Sequence, residues 1–218
     1  MRRQLLGPLL IGMFVMALFF SPVAKAMPQE DLEFKFDVYL DDRKIGAHTF
    51  DVTFVDGIGR VRSEANFKYT VLKIPVYQYT HNYKERWSDN CLVEIDATTD
   101  ANGKRSEISG ELIDDGFTVE TGGSQSQLPE CVMSFAYWNR SFLKQERLIN
   151  QQTGEYVDVE VEDLGAEDLK VRGKNVSARR YAIVAGAAEL TVWYSENDEW
   201  LALESVAKGG RIIRYELS

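Results

Sequence analysis

Of 218 residues, 25 are Lys or Arg and 34 are Asp or Glu, and the resulting net charge of −9 excludes a nucleic-acid surface built on a basic stripe. Apolar residues at 44% and aromatics at 11% exclude the disordered class. The length suits one domain with a sizeable core.

Arg2 and Arg3 precede a 16-residue apolar run, Leu5–Phe20, followed by Ser21-Pro22-Val23-Ala24-Lys25-Ala26. The pattern is that of a signal peptide, with Ala24 and Ala26 as the small residues that a signal peptidase requires. A spanning helix needs about 20 apolar residues; this run is shorter and carries Gly7, Pro8 and Gly12. Cleavage after Ala26 is therefore expected, giving a periplasmic protein with no stable membrane span. The arginine pair leaves both the general and the twin-arginine export routes open, the very apolar run and Lys25 favouring the first. Without residues 1–26 the chain has 192 residues and a net charge of −12.

The rest of the chain is dominated by period-2 alternation, the mark of half-buried strands. Phe34, Phe36, Val38 and Leu40 form one inward face, and Asp41-Asp42-Arg43-Lys44 reads as a turn. His48, Phe50, Val52 and Phe54 form the next face, closed by Asp56-Gly57-Ile58-Gly59. Val61, Ser63, Ala65, Phe67, Tyr69 and Val71 follow, and Pro75 marks a corner. A long strand then carries Tyr77, Tyr79, His81, Tyr83, Glu85 and Trp87 on one side. A fifth strand runs from Cys91 to Thr99, a hairpin returns through Ile108 and Leu112, and Asp114-Asp115-Gly116 turns the chain into Phe117–Val119.

Residues 121–130 lack periodicity and read as a mobile loop, while Ser134–Gln152 is the one stretch with a helical pattern. Further strands are expected at 156–161, 169–171, 180–184, 190–194, 200–206 and 212–217. About 12 short strands predict an all-β antiparallel meander closed into a barrel, half-barrel or sandwich, since a flat sheet of that size would leave long bare edges. Residues 27–218 are thus expected to form one β domain with a loop or helix insertion at 121–155.

Cys91 and Cys131 both lie in the exported part, and two cysteines in an oxidising compartment allow one intrachain bridge. A reactive thiol or two inert buried thiols are the alternatives.

Phe135-Ala136-Tyr137-Trp138-Asn139, Leu148-Ile149-Asn150-Gln151-Gln152-Thr153-Gly154-Glu155-Tyr156, Val192-Trp193-Tyr194 and Trp200-Leu201-Ala202-Leu203-Glu204-Ser205, with Ile45-Gly46-x-His48 and Tyr79-x-His81, resemble a family of uncharacterised exported proteobacterial proteins. The resemblance extends over nearly the whole mature chain and implies no activity, cofactor or functional residue.

A metal would recruit His48 and His81. Pairing Val55 with Arg60 sets His48 opposite Phe67, and a short corner at Lys73–Val76 sets His81 opposite the same residue. Two strands flanking a shared middle strand lie about 9.6 Å apart, too far for one ion to bind both imidazoles at about 2 Å. Gly122-Gly123-Ser124-Gln125-Ser126 lacks the last glycine of a nucleophile elbow, Asp100-Ala101-Asn102-Gly103 lacks the flanking ligands of a calcium loop, and no phosphate loop opens a helix. The acidic pairs fall at turns and strand ends, where turn chemistry explains them. No cofactor follows from any of these.

What remains is the row Tyr77, Tyr79, His81, Tyr83 and Trp87, with His48 and Phe67 beside it. Rings with polar tips suit a cavity for an apolar or amphiphilic molecule, or else they fill a solid barrel core. A second reading makes the protein an accessory that docks on an envelope partner through exposed Tyr137 and Trp138; a third gives His81 the role of general base in an enzyme.

Overall fold

The computed structural model describes residues 30–218 apart from Lys73 and Lys208. Residues 1–26, read above as a signal peptide, lie outside the described residues.

The described residues form 14 strands: β1 (Leu32–Leu40), β2 (Arg43–Val55), β3 (Ile58–Val71), β4 (Ile74–Ser88), β5 (Cys91–Ala101), β6 (Lys104–Ile113), β7 (Gly116–Thr121), β8 (Ser124–Leu128), β9 (Arg147–Ile149), β10 (Tyr156–Val171), β11 (Lys174–Ala185), β12 (Ala188–Ser195), β13 (Trp200–Ala207) and β14 (Arg211–Leu217). They make one sheet in the order β8-β7-β6-β5-β4-β3-β2-β1-β14-β13-β12-β11-β10-β9. Two meanders therefore join where β1 pairs with β14, Val38 opposite Tyr215. The sheet is curled but not closed, its edges being β8 and β9. The expected all-β antiparallel class is thus observed, as an open barrel-like shell.

Alternation produces the shell. On β4 the side chains of His81, Tyr83, Glu85 and Trp87 are buried while those between them are exposed. A strand that buries one face and wets the other sits in a wall with its apolar face toward the core. Rings from distant strands meet inside: Trp200 lies 4.2 Å from Phe36 and 5.0 Å from Phe50 between ring centroids.

Four expectations are corrected. Asp56 and Gly57 both adopt positive φ (52° and 77°), which makes a two-residue turn with Val55 opposite Ile58. An Asp-Gly pair is among the strongest signals for such a tight turn, so the assumed four-residue turn was two residues too long. The stretches 156–161 and 169–171 are one strand, β10, with a bulge near Asp163–Gly165. The polar stretch 124–128, read as loop, is edge strand β8 paired with β7. The expected helix at 134–152 is reduced to a 3₁₀ turn at Arg140–Lys144, capped by the Asn139 side chain accepting from the Ser141 amide.

That last segment fills the lower half of the shell. Val132, Met133, Phe135, Trp138, Phe142, Leu148 and Ile149 are all buried. Trp138 packs edge-on against Trp87 at 5.6 Å, and the Tyr194 hydroxyl donates to the Tyr137 carbonyl at 2.7 Å. The segment is tied to the wall by the Cys91–Cys131 disulfide and by the Leu92 amide donating to the Val132 carbonyl at 2.8 Å. Trp138 is 3% exposed and Tyr137 stacks on Trp200 at 5.1 Å, so neither offers the exposed aromatic surface expected for partner docking.

The hairpin β3–β4 overruns its neighbours. β2 pairs with β3 only as far as Gly46 opposite Phe67, and β5 pairs with β4 only from Ala101 opposite Tyr79. Lys68–Val71 and Ile74–Gln78 have ladder partners only in each other, an overhang of about 13 Å at strand rise.

Candidate functional site

Above the internal segment the shell holds a cavity of about 620 Å³. It opens at the end that carries the β1–β2, β3–β4, β11–β12 and β13–β14 turns, since Leu40, Val76, Ala188 and Arg211 line it there. Phe135, Tyr137 and Gln151 of the internal segment form the opposite side.

Six of the seven residues anticipated from sequence line this cavity: His48, Phe67, Tyr77, Tyr79, His81 and Tyr83. On β4 the rings of Tyr77, Tyr79, His81 and Tyr83 follow one another at centroid spacings of 6.4, 6.3 and 5.4 Å. Such a ladder follows from residues two apart on one face of a strand. Phe67 stacks on Tyr79 across the β3–β4 ladder at 5.2 Å. Trp87, the seventh, lies beneath: it is fully buried against Trp138 and does not line the cavity.

His48 and His81 flank Ala65 on β3, two residues from the expected Phe67, because the β2–β3 turn is shorter than assumed and the β3–β4 turn pairs Val71 with Ile74, ahead of the assumed corner at Lys73–Val76. They still sit on strands separated by β3, and each is satisfied in the wall. His48 Nε2 bonds Ser63 Oγ at 2.7 Å and Nδ1 approaches Tyr215 Oη at 3.4 Å; His81 Nδ1 bonds Thr99 Oγ1 at 2.9 Å. Burial disfavours the imidazolium and pulls His48 down to about 3 and His81 to about 4. Both are neutral at physiological pH, and a base this weak is poorly matched to proton abstraction near pH 7, which counts against the role of His81 as general base. Among the described residues no three His, Cys, Asp or Glu side chains converge in a way that would hold a metal ion.

Sequence reasoning missed the far wall. Trp200, Leu203 and Ser205 of β13, Ile213 and Tyr215 of β14, and Tyr137 all line the cavity. The alternation of β13 and β14 announces inward faces, but nothing local shows that these close on β2–β4. The lining is therefore mainly aromatic and aliphatic, with phenols, neutral imidazoles, Ser205 and the amides of Asn150, Gln151 and Gln152 as its uncharged polar points and Arg211 at the mouth.

Glu85 had been placed on the inner face without a role. It is buried between Tyr83 and Trp87, and its carboxylate accepts from Ser134 Oγ at 2.7 Å, Trp87 Nε1 at 3.0 Å and Gln151 Nε2 at 3.3 Å. It thereby pins both limbs of the internal segment to β4. Burial pushes its pKa up to about 7 against those three donors. Above that pH the folded protein holds an ionised carboxylate that the unfolded chain would hold in water. Glu85→Gln, which keeps the shape and can still bond to these partners after amide rotation, is expected to raise unfolding free energy by about 3 kcal/mol at pH 8 and to be near neutral at pH 4.5. Urea unfolding at the two pH values measures this; equal effects at both would show that ionisation is not the cause.

Residues 36–218 match the family described as a domain of unknown function, DUF6134, and the chain belongs to that family. The fold is similar to the crystal structure of a β-barrel-like protein of the DUF1849 family from Brucella abortus, with a TM-score of 0.64 at 9% identity over 87% of this chain and 96% of that one. At that identity the likeness concerns the fold alone. No curated protein matches the chain.

Proposed function

We propose that this protein is an exported, periplasmic carrier that holds an apolar or amphiphilic molecule of lipid type in the cavity bounded by the Tyr77–Tyr83 ladder. One observation carries the reading. The cavity volume falls within the roughly 300–1,000 Å³ typical of small-molecule sites, and its lining combines aromatic and aliphatic walls with a few uncharged polar groups inside and one charged side chain, Arg211, at the mouth. An ionised ligand group has no buried counter-charge on this wall, since both histidines are held neutral; the acyl or ring portion therefore goes inside and the polar portion stays at the mouth. The disulfide supports an oxidising compartment.

The test is native mass spectrometry of protein released gently from its own compartment, combined with titration of dansyl-undecanoic acid. Wild type is expected to carry a copurifying lipid-sized adduct and to enhance dansyl fluorescence. Ser205→Phe, which fills the cavity from β13, and Tyr79→Ala, which removes a central ring, are expected to weaken probe binding about tenfold or more, the equivalent of one large apolar contact. A bare apo mass together with no dansyl enhancement would overturn the proposal.

A further inference from the structure

The overhanging β3–β4 hairpin ends in Val71-Leu72-Lys73-Ile74-Pro75-Val76, five apolar residues and one lysine at the rim of an acidic protein. Leu72 is 90% exposed and Ile74 64%, among the most exposed large apolar side chains of the described residues. No neighbouring strand pairs with either edge of this tip, because the sheet has already ended on both sides.

The choice of residue at its apex is not explained by turn formation. The hairpin turns with Leu72 at φ +50°, a conformation that Gly, Asn and Asp adopt far more readily. The other non-glycine residues with positive φ among the described residues are Asp41, Asp56, Asp89, Asn90, Asn102, Arg172 and Asp198; Leu72 alone is apolar. An apolar residue that disfavours its own turn and is bared to water has a use outside the folded chain.

Below the tip the chemistry changes within one residue pair. Tyr69 and Tyr77 face each other across the ladder. Two guanidiniums, those of Arg43 and Arg211, lie 5.0 and 4.9 Å from the Tyr69 ring centre. Arg43 also donates to Thr70 Oγ1 at 2.9 Å, and Arg211 pairs with Asp41 at 2.8 Å. A mostly apolar end followed by a belt of tyrosines and arginines matches the profile of a bilayer surface from acyl region to headgroup. Exposed ladder edges disfavour deeper entry, since backbone groups left unpaired in hydrocarbon are costly. Val76 and Tyr77 belong both to this hairpin and to the lining of the cavity mouth, so an inserted tip brings that mouth to the lipid surface.

We propose that the β3–β4 hairpin is a membrane-docking element that inserts Leu72 and Ile74 into the outer part of a lipid leaflet and presents the cavity mouth to it. The inference concerns the surface and stands apart from cavity occupancy, so each can fail alone.

Vesicles of phosphatidylethanolamine and phosphatidylglycerol are the probe, with full-length mature protein in a flotation assay. Wild type is expected to float with them. Leu72→Asn, which suits the positive φ, is expected to raise the melting temperature yet lower vesicle partitioning roughly tenfold, and Leu72→Asn with Ile74→Thr to abolish it. A stabilised variant that no longer binds cannot be dismissed as misfolded. Ser205→Phe is expected to bind vesicles as wild type does, whatever becomes of the dansyl probe. Wild type that stays at the bottom of the gradient, or a double variant that floats unchanged, would overturn the proposal. So would a wild-type dimer in sedimentation that the same substitutions dissolve, since the tip would then be covered by a second copy.

Discussion

Lowering the pH from 7 to 4.5 is expected to destabilise the Glu85→Gln protein by about 5 kcal/mol, and to destabilise the wild type by only about half of that. His48 and His81 cause the loss. Once unfolded, each imidazole takes up a proton below its ordinary value of 6.5, whereas in the fold burial holds them at about 3 and about 4. Between 6.5 and 4.5 the unfolded chain thus binds two protons that the folded chain refuses, and stability falls as pH falls. Glu85 acts in the other direction. Its folded value of about 7 lies above its ordinary 4.5, so over this interval the folded chain binds a proton that the unfolded one lacks, and stability rises as pH falls. Asp41 and Asp163 have values lowered by hydrogen bonds from the Ile212 amide and the Arg179 side chain respectively, so they contribute only below about 4 and leave the interval clear. Replacing both histidines, His48→Asn with His81→Gln, should therefore reverse the sign of the wild-type slope and leave a gain of about 2–3 kcal/mol on acidification. Urea midpoints at pH 7 and 4.5 for the three proteins decide it; slopes that do not change with the histidines would place the acid sensitivity elsewhere.

These opposed groups also show how far the amino-acid sequence could be read. His48, His81 and Glu85 fall on inward positions by parity alone, and parity survives the two-residue register error because a slip of two keeps every side chain on its face. Their partners Ser63 and Thr99 come from adjacent strands and follow once the register is right. The shell itself is legible for the same reason, since β1–β5 alternate over long runs. Legibility fails where a strand buries neither face: Ser124–Gln127 is exposed throughout, so β8 leaves no period, and β10 is interrupted by its bulge near Gly165. It fails again in the internal segment. Phe135, Tyr137 and Trp138 are enclosed by the shell and not by periodic structure of their own, so their burial depends on contacts remote in the chain, such as that of Tyr137 with Trp200. The cavity is a consequence of where this segment stops, with Phe135, Tyr137 and Gln151 at its edge, and no local pattern of residues records that depth.

Loss of the Cys91–Cys131 bridge is expected to cost about 4 kcal/mol, or roughly 8–16 °C in melting temperature for a domain of this size. The bridge closes a loop of 40 residues that includes β5–β8 and the entry of the internal segment. The penalty arises mainly in the unfolded chain, which regains the freedom of that loop. In the fold the two Cα atoms are 5.0 Å apart, within the ordinary range for a bridge, and the neighbouring Leu92–Val132 backbone bond and the buried Val132 and Met133 hold the segment in place without it. Cys91→Ala with Cys131→Ala should therefore fold to the same structure with a lower melting temperature, and its dansyl-undecanoic acid binding at room temperature should match wild type. Adding reductant should bring wild type to the melting temperature of the double variant and leave that variant unmoved. If binding is lost while far-ultraviolet circular dichroism is retained, the bridge has a second role in the native state: it sets the depth of the internal segment and so the volume of the cavity above it.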